Sequence, residues 1–301
     1  MIQHQKTLSV PVTFSGIGIH TGKSATVILK PAPVDYGIRF TTDGQRTTPA
    51  IMSFVSKYAN FSTELMVSGE SVCTIEHLMA ALYFAGITNC LVDIDGPEIP
   101  VLDGSAWDIL KLIYNQDEKT NTHYVPKIVT QMAIVKPFLI TEEIAVDGPN
   151  GERVSLVPAE TFSAEIMIDF SERSPNLIGK QSFTFNPQNV TNKVWAQCSI
   201  ACARTFGFYS DMEKMHKWQR GLGAGLENCI VVDDTTDEIM NDFDLYWPDE
   251  FVRHKMVDVL GDLMLAGQPI QGKFVGFKPS HKLVHDLLRK VYNVYPTETL
   301  L

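Results

Sequence analysis

The chain has 301 residues, of which 45% are hydrophobic and 20% are charged, so it can bury a large core and form two domains. Its formal net charge of −10 argues against general nucleic-acid binding, because that function needs a basic surface. Five cysteines without a CxxC pair, and the lack of a secretory signal, predict the reducing conditions of the cytoplasm. No apolar run is long enough to span a membrane. We therefore expect at most peripheral membrane contact, and we also expect a monomer.

An alternating stretch and a glycine-rich loop open the chain. Residues 8–14 alternate between apolar and polar side chains, which predicts one strand. The following loop carries His20 shortly after Gly16 and Gly18. This spacing is too short for a dinucleotide-binding fingerprint. We interpret the loop as a structural turn and His20 as a candidate pocket residue.

An apolar helix is predicted at residues 78–85. Thr74 is a suitable N-cap before it, and Gly86 suits its C-terminal end. Glu76 and His77 then lie in the first turn of an otherwise apolar helix. One interpretation is structural, with Glu76 complementing the helix dipole and His77 as a buried, hydrogen-bonded histidine. The other interpretation is that both side chains belong to a site.

A polar stretch at residues 115–123 separates two halves of the chain. Nothing in this stretch can be buried, and strand-like sequence resumes at Pro126. We therefore predict an N-terminal domain at residues 1–122 and a C-terminal domain at residues 123–301.

A second helix, predicted at residues 251–263, carries a polar stripe opposite a broad apolar arc. His254, Asp258 and Asp262 follow at i, i+4 and i+8 and so lie nearly in line. Such a stripe can be a solvated helix face. An imidazole and a carboxylate one turn apart are also a two-pronged ligand for zinc, with the second carboxylate free to support the site. Because two ligands do not hold zinc, a third must come from elsewhere.

His77 is the candidate third ligand. With His254 and Asp258 it gives three zinc ligands and an open fourth position, which is the arrangement of catalytic rather than structural zinc. Glu76, next to a ligand but free, is then the candidate general base that takes a proton from water. Taken together, these residues favour a zinc-dependent hydrolytic site.

Two later segments offer further candidates. Residues 203–225 combine aromatic, methionine, leucine and glycine residues. Phe208, Met212 and Leu222 are candidates to line a channel for an acyl chain, although ordinary core packing fits the same composition. His281 follows a Pro-Ser turn and is either a surface histidine or the acid that protonates a leaving amine.

Five blocks of sequence stand out: Thr74–Leu78 (TIEHL), Pro97–Ala106 (PEIPVLDGSA), Ala203–Phe208 (ARTFGF), Val231–Asp234 (VVDD) and Phe251–Leu263 (FVRHKMVDVLGDL). Together they resemble the UDP-3-O-acyl-N-acetylglucosamine deacetylase family of Gram-negative bacteria, which commits the cell to lipid A synthesis. The resemblance implies zinc-dependent hydrolysis of the N-acetyl amide of an acylated UDP-sugar, with release of acetate. It also implies an α+β fold of two similar domains. Each domain is a β-sheet layer packed against helices, in a two-layer sandwich with the site between the domains.

The resemblance also implies roles for individual residues. Three residues match the family's zinc ligands: His77, His254 and Asp258. Glu76 matches the base, and Thr205 matches a residue that supports the oxyanion. His281, ordered by Asp262, matches a group that assists at the oxyanion or at the leaving nitrogen.

Substrate contacts and departures from the family pattern follow from the same comparison of motifs. Lys255 matches a phosphate-facing cation, and Phe206 and His20 match pocket neighbours. The segment 209–228 departs from the usual pattern, which bears on acyl-chain length. Ser280 stands where the family usually has glycine, which predicts a small tilt of the neighbouring histidine.

Two alternative functions stay open. A related zinc amidohydrolase acting on another acylated sugar is supported by the unusual 209–228 segment. A non-catalytic paralogue that binds acylated nucleotide sugar is the second alternative. The presence of Glu76 together with all three candidate ligands argues against it.

Overall fold

The computed structural model describes residues 4–57, 61–114, 127–188 and 199–295. The strands in these ranges are β1 (His4–Leu8), β2 (Val12–Ile17), β3 (Ser24–Pro31), β4 (Ile38–Thr41), β5 (Thr48–Pro49), β6 (Leu65–Val67), β7 (Glu70–Val72), β8 (Cys90–Ile94), β9 (Ile128–Ile134), β10 (Phe138–Leu139), β11 (Ile144–Asp147), β12 (Arg153–Val157), β13 (Ser163–Asp169), β14 (Lys180–Phe185), β15 (Phe206–Phe208), β16 (Ile230–Asp233), β17 (Glu238–Ile239), β18 (Ile270–Gln271) and β19 (Lys273–Phe277). The α-helices with both ends in these ranges are α1 (Glu76–Ala85), α2 (Trp107–Tyr114), α3 (Met212–Lys217), α4 (Glu250–Leu263) and α5 (His281–Val294).

Two five-stranded sheets repeat one topology. The strand order is β2-β3-β8-β4-β5 in the first half and β11-β12-β19-β13-β14 in the second. In each sheet the central strand, β8 or β19, pairs antiparallel with one neighbour and parallel with the other. One helix, α1 or α4, precedes that central strand, and another, α2 or α5, follows it. The expected α+β fold of two similar sheet-and-helix units is therefore confirmed.

Each unit also carries a small β insertion at the equivalent place in the chain. The β6–β7 hairpin precedes α1, and the three-stranded sheet β15-β16-β17 precedes α4. The two halves are further joined because β1 pairs with β9. Both insertions therefore lie next in sequence to the helices that carry the predicted site residues.

Helices α1 and α4 approach each other closely at Gly261. A Cβ atom placed on Gly261 would lie 2.0 Å from the carbonyl oxygen of Glu76, well inside any allowed contact distance. Only glycine permits this approach without a shift of one helix. As a result, the first turn of α1 meets the last turn of α4.

The predicted polar stripe is buried together with the rest of α4. The side chains of the apolar arc, such as Val252 and Met256, lie in the core as expected. His254, Asp258 and Asp262 are only 2%, 6% and 1% exposed. The solvated-face interpretation of the stripe is therefore wrong, because α1 and α5 both pack against α4.

Two local predictions are also wrong. Residues 8–14 do not form one strand, because the chain breaks between β1 and β2 at Pro11, which has no N–H to donate to a neighbouring strand. Thr74 is not the N-cap of α1. Its backbone is left-handed with φ of 58°, and its hydroxyl donates instead to Glu98 at 2.7 Å. Gly86 does end the helix, with φ of 67°.

The predicted domain boundary at residues 122 and 123 lies outside the described residues and stays a prediction. In the part of the chain that the structure describes, no helix is both long and apolar enough to cross a membrane.

Replacing Gly261 with Ala should lower the free energy of unfolding by about 1–3 kcal/mol, because the added methyl group forces α1 and α4 apart. The measurement is thermal unfolding, where each kcal/mol lowers Tm by about 2–4 °C in chains somewhat shorter than this one. Gly207→Ala is the matched control, since a Cβ there meets nothing within 4 Å. Equal Tm values for the two variants would contradict the packing argument.

Candidate metal centre

Three buried side chains from α1 and α4 converge at the helix contact. The Oδ1 atom of Asp258 lies 3.6 Å from Nε2 of His77 and 3.3 Å from Nε2 of His254. All three candidate ligand atoms lie within 4.8 Å of one another. Two ligands about 2.1 Å from a tetrahedral zinc ion lie about 3.4 Å apart. The spacing therefore fits a single metal ion.

Hydrogen bonding prepares this cluster for a cation. Nδ1 of His254 lies 3.0 Å from the carbonyl oxygen of Ala203, and since a carbonyl only accepts, Nδ1 carries the proton and Nε2 keeps its lone pair. The described part of the chain offers Asp258 Oδ1 no hydrogen-bond donor. A buried carboxylate oxygen without a donor is costly, and a bound cation removes that cost.

Lys255 supplies the nearest fixed positive charge. Its Nζ atom lies 2.9 Å from Oδ2 of Asp258. Burial opposes the charge on Asp258, but Lys255 and His254 outweigh it and hold the pKa of Asp258 well below its ordinary value. Asp258 is therefore ionised, as a metal ligand must be. The ammonium group also lies 5.8 Å from the ring centroid of Phe206, whose ring in turn packs edge-on against His254.

Glu76 lies beside the cluster and is itself buried. Its Oε2 atom accepts the backbone N–H of Thr63 at 3.0 Å. Its Oε1 atom lies 3.6 Å from Nε2 of His281. Burial raises the pKa of Glu76 to about 7, although the positive charge of His281 partly opposes this shift. Glu76 can therefore accept and release a proton near neutral pH.

His281 begins helix α5 on the other side of Glu76. Its Nδ1 atom lies 2.7 Å from Oδ2 of Asp262, so Nδ1–H donates to that carboxylate. Burial disfavours the charged imidazole, but Asp262 and Glu76 outweigh it and raise the pKa of His281 to about 10. Ser280, in place of glycine, caps α5 by accepting the N–H of Leu283. The structure thus brings together the predicted pair of a carboxylate and an imidazolium.

His20 and Leu222 lie together at a second edge of the site. The N–H of Leu222 donates to the carbonyl oxygen of His20. Burial lowers the pKa of His20, and the nearby charge of His281 acts in the same direction. Phe61 lies between the rings of His20 and Trp218, at centroid distances of 6.2 and 5.5 Å. Leu222 is 46% exposed and Trp218 is 53% exposed, so apolar surface is open to solvent here.

The remaining predicted residues have contacts of other kinds. The backbone N–H of Thr205 donates a hydrogen bond to the carbonyl oxygen of Gly104. Phe208 is buried under the guanidinium group of Arg173, 3.8 Å from the ring centroid. Met212 is the first residue of α3. Their roles toward a substrate stay predictions.

Two buried residues at the site were not among the predicted ones. Thr63 donates its hydroxyl to Oδ1 of Asp262 at 2.5 Å. Nε2 of His285 lies 3.0 Å from the same hydroxyl. The i, i+4 spacing of His281 and His285 on one helix is a sequence signal for the second residue. Nothing in the sequence pairs Thr63 with a carboxylate 199 positions away.

A three-ligand metal site flanked by a buried carboxylate and a charged imidazole is typical of metal-dependent hydrolases. Comparison with known proteins agrees with this class. The chain belongs to the LpxC family, described as UDP-3-O-acyl N-acetylglycosamine deacetylase, whose family model matches residues 5–293.

Several proteins that carry the name UDP-3-O-acyl-N-acetylglucosamine deacetylase are similar over nearly the whole chain. The protein from Myxococcus xanthus is 38% identical over 96% of this chain and 86% of its own. The protein from Psychrobacter sp. is 36% identical over 96% of this chain and 92% of its own. The Neisseria meningitidis protein (serogroup C, strain FAM18) is 35% identical over 95% of this chain and 89% of its own.

The cluster predicts one bound divalent metal ion per chain. Replacing His254 or Asp258 with Ala should reduce the metal content toward background, because either change removes one of three ligands and leaves the others buried. Elemental analysis after dialysis is the measurement. Asp286→Ala, which removes a carboxylate paired with Lys282 on α5, is the control and should keep the metal. Full metal content in both ligand variants would contradict the assignment.

Proposed function

We propose that the protein is a zinc-dependent deacetylase that hydrolyses the N-acetyl amide of UDP-3-O-acyl-N-acetylglucosamine and releases acetate in cytoplasmic lipid A biosynthesis. The observation that carries this proposal is the buried Glu76 carboxylate, which directly precedes the candidate ligand His77 on α1 and lies 3.6 Å from Nε2 of His281. That arrangement provides a base and an acid at one metal site. Family membership supports the choice of substrate.

Zinc suits the donor set of two imidazoles and one carboxylate, and when bound it would polarise the amide carbonyl and lower the pKa of water. His77, His254 and Asp258 are the residues that would hold it. The Nδ1 atom of His254 faces the carbonyl oxygen of Ala203, so Nε2 is the ring nitrogen left to bind the metal.

Glu76 is the proposed general base. A carboxylate with a pKa of about 7 is ionised in part at neutral pH and is a stronger base than an ordinary exposed glutamate. It takes one proton from the attacking water. The same group can then pass that proton to the departing nitrogen.

His281 is the proposed charge-stabilising group and second acid. Its Nδ1–H is held by Asp262, so Nε2 keeps a fixed direction toward Glu76. A protonated imidazole at this position stabilises the negative charge that develops on the carbonyl oxygen. Thr205 is proposed to support the same oxyanion.

The remaining substrate contacts are proposed from chemistry and position. Lys255 carries the positive charge that suits a phosphate group, and Phe206 lies beside it. Leu222 is apolar and lies close to His20, so it is a candidate to contact the acyl chain. Phe208 and Met212 are kept as candidates for the wall of the same passage.

Purified, zinc-loaded protein should release acetate from UDP-3-O-acyl-N-acetylglucosamine, and the assay should compare acyl chains of several lengths. The matched control is Glu76→Gln, which keeps the shape of the side chain and removes the base. Turnover should fall by roughly 10²-fold or more in this variant, while zinc stays bound.

Other outcomes of this assay would favour other functions. Acetate release only from a different acylated sugar would point to a related amidohydrolase. Binding of the UDP-sugar without any acetate release would point to a binding protein.

The pH dependence of kcat/KM should be bell-shaped. Activity should rise as pH increases through about 7, where Glu76 becomes ionised, and fall through about 10, where His281 loses its proton. His281→Ala should keep zinc, reduce turnover by roughly 10²-fold and remove the alkaline limb. Loss of zinc from this variant would make His281 a ligand and would contradict the assignment.

A further inference from the structure

Thr63 bonds to the proposed base Glu76 and to Asp262, the carboxylate that holds the proposed acid His281. Its backbone N–H donates to Oε2 of Glu76 at 3.0 Å. Its hydroxyl donates to Oδ1 of Asp262 at 2.5 Å. Thr63 itself is fully buried. One residue therefore holds the general base through its main chain and the partner of His281 through its side chain.

The direction of each hydrogen bond follows from proton counting. The single hydroxyl proton of Thr63 goes to Asp262, because a carboxylate only accepts. The same oxygen lies 3.0 Å from Nε2 of His285, so it must accept the proton of that imidazole. His285, Thr63 and Asp262 thus form a directional chain, and His281 donates to the far oxygen of the same carboxylate.

All four members of this chain are shielded from water. Asp262 and His285 are 1% and 2% exposed, Thr63 is 0% exposed, and the His281 side chain is 12% exposed. No competing water is needed to satisfy Asp262, because both of its oxygens already have donors. Loss of the Thr63 hydroxyl would leave Asp262 Oδ1 and the His285 N–H facing a buried methyl group. Oδ1 of Asp262, at 3.5 Å, is then the nearest alternative partner that the described residues offer to Nε2 of His285.

We propose that Thr63 is a positioning residue that sets Glu76 and His281 in one hydrogen-bonded unit, and that His285 fixes the Thr63 hydroxyl for this purpose. The inference rests on the proposed deacetylase function. Thr63 contacts neither the candidate ligands nor the open side of the site in any described hydrogen bond. It therefore acts through the orientation of the two groups, which governs the rate of the chemical step.

The test compares Thr63→Val, which keeps the N–H and the shape of the side chain, with Thr63→Ser, which restores the hydroxyl. In Thr63→Val, kcat per zinc-loaded site should fall by roughly 10-fold to 10²-fold, the range typical for loss of an orienting partner. KM should hardly change, because Thr63 is fully buried and its hydroxyl is bonded to Asp262. Thr63→Ser should recover most of the lost kcat.

Thr41→Val is the matched control for the loss of a buried threonine hydroxyl. Thr41 is also fully buried and bonds to a carboxylate, that of Asp43, but it lies on β4. Its variant should lose stability without any change in kcat per zinc-loaded site. This separates positioning from a general cost of removing a buried hydroxyl.

A second pair of variants tests the support given by His285. His285→Gln keeps an N–H donor, and His285→Leu does not. The kcat of His285→Leu should fall below that of His285→Gln. This comparison decides the inference if Thr63→Val does not fold.

Three results would overturn the inference. Wild-type kcat in folded Thr63→Val is the first. Equal losses in Thr63→Val and Thr63→Ser is the second, since packing and not the hydroxyl would then matter. Equal kcat in the two His285 variants is the third. If the wild-type protein releases no acetate, both the proposed function and this inference are wrong. If the wild type is active and the variants are unaffected, only the inference is wrong.

Discussion

The contact between α1 and α4 at Gly261 is the constraint on which the site depends. Helices usually pack with their axes about 8–10 Å apart, at a distance set by the side chains between them. Here the carbonyl of Glu76 lies against backbone, because residue 261 has no side chain. His77 thereby comes within ligand distance of His254 and Asp258. A wider spacing would still bury the apolar faces of both helices. It would, however, place His77 too far from His254 and Asp258 for all three to bind one ion.

Burial of three carboxylates in one region demands compensation, because unpaired buried charge is strongly unfavourable. The compensation is unequal. Asp262 lies 2.7 Å from its cation and Asp258 lies 2.9 Å from Lys255, whereas Glu76 lies 3.6 Å from the imidazole of His281. Of the three, only Glu76 has a raised pKa, whereas the pKa values of Asp258 and Asp262 lie below their ordinary value. The uneven pairing therefore keeps Asp258 and Asp262 ionised at neutral pH and leaves Glu76 able to exchange a proton there.

Much of this could be predicted from the sequence, because helical periodicity places residues 254, 258 and 262 in line whatever surrounds them. What surrounds them could not be predicted. A polar stripe looks the same in sequence whether it faces water or a second helix, so its burial emerges only from packing. The prediction of Thr74 as an N-cap is wrong for a similar reason. A threonine before a helix normally caps it, and only the fold reveals the carboxylate of Glu98 as a competing acceptor. Thr63 has no periodic signal at all.

The repeated topology of the two halves bears on how residues can be distributed at the metal cluster. α1 and α4 occupy equivalent places in the two units, yet they contribute different residues. The proposed base Glu76 and one candidate ligand lie on the first helix, and two candidate ligands lie on the second. A symmetric pair of identical chains must present the same residues from both sides of its axis. Two similar units within one chain are free of that symmetry, so each helix can carry its own set of residues. The unequal contribution of α1 and α4 to the cluster is therefore an arrangement that an isologous contact between two identical subunits could not provide.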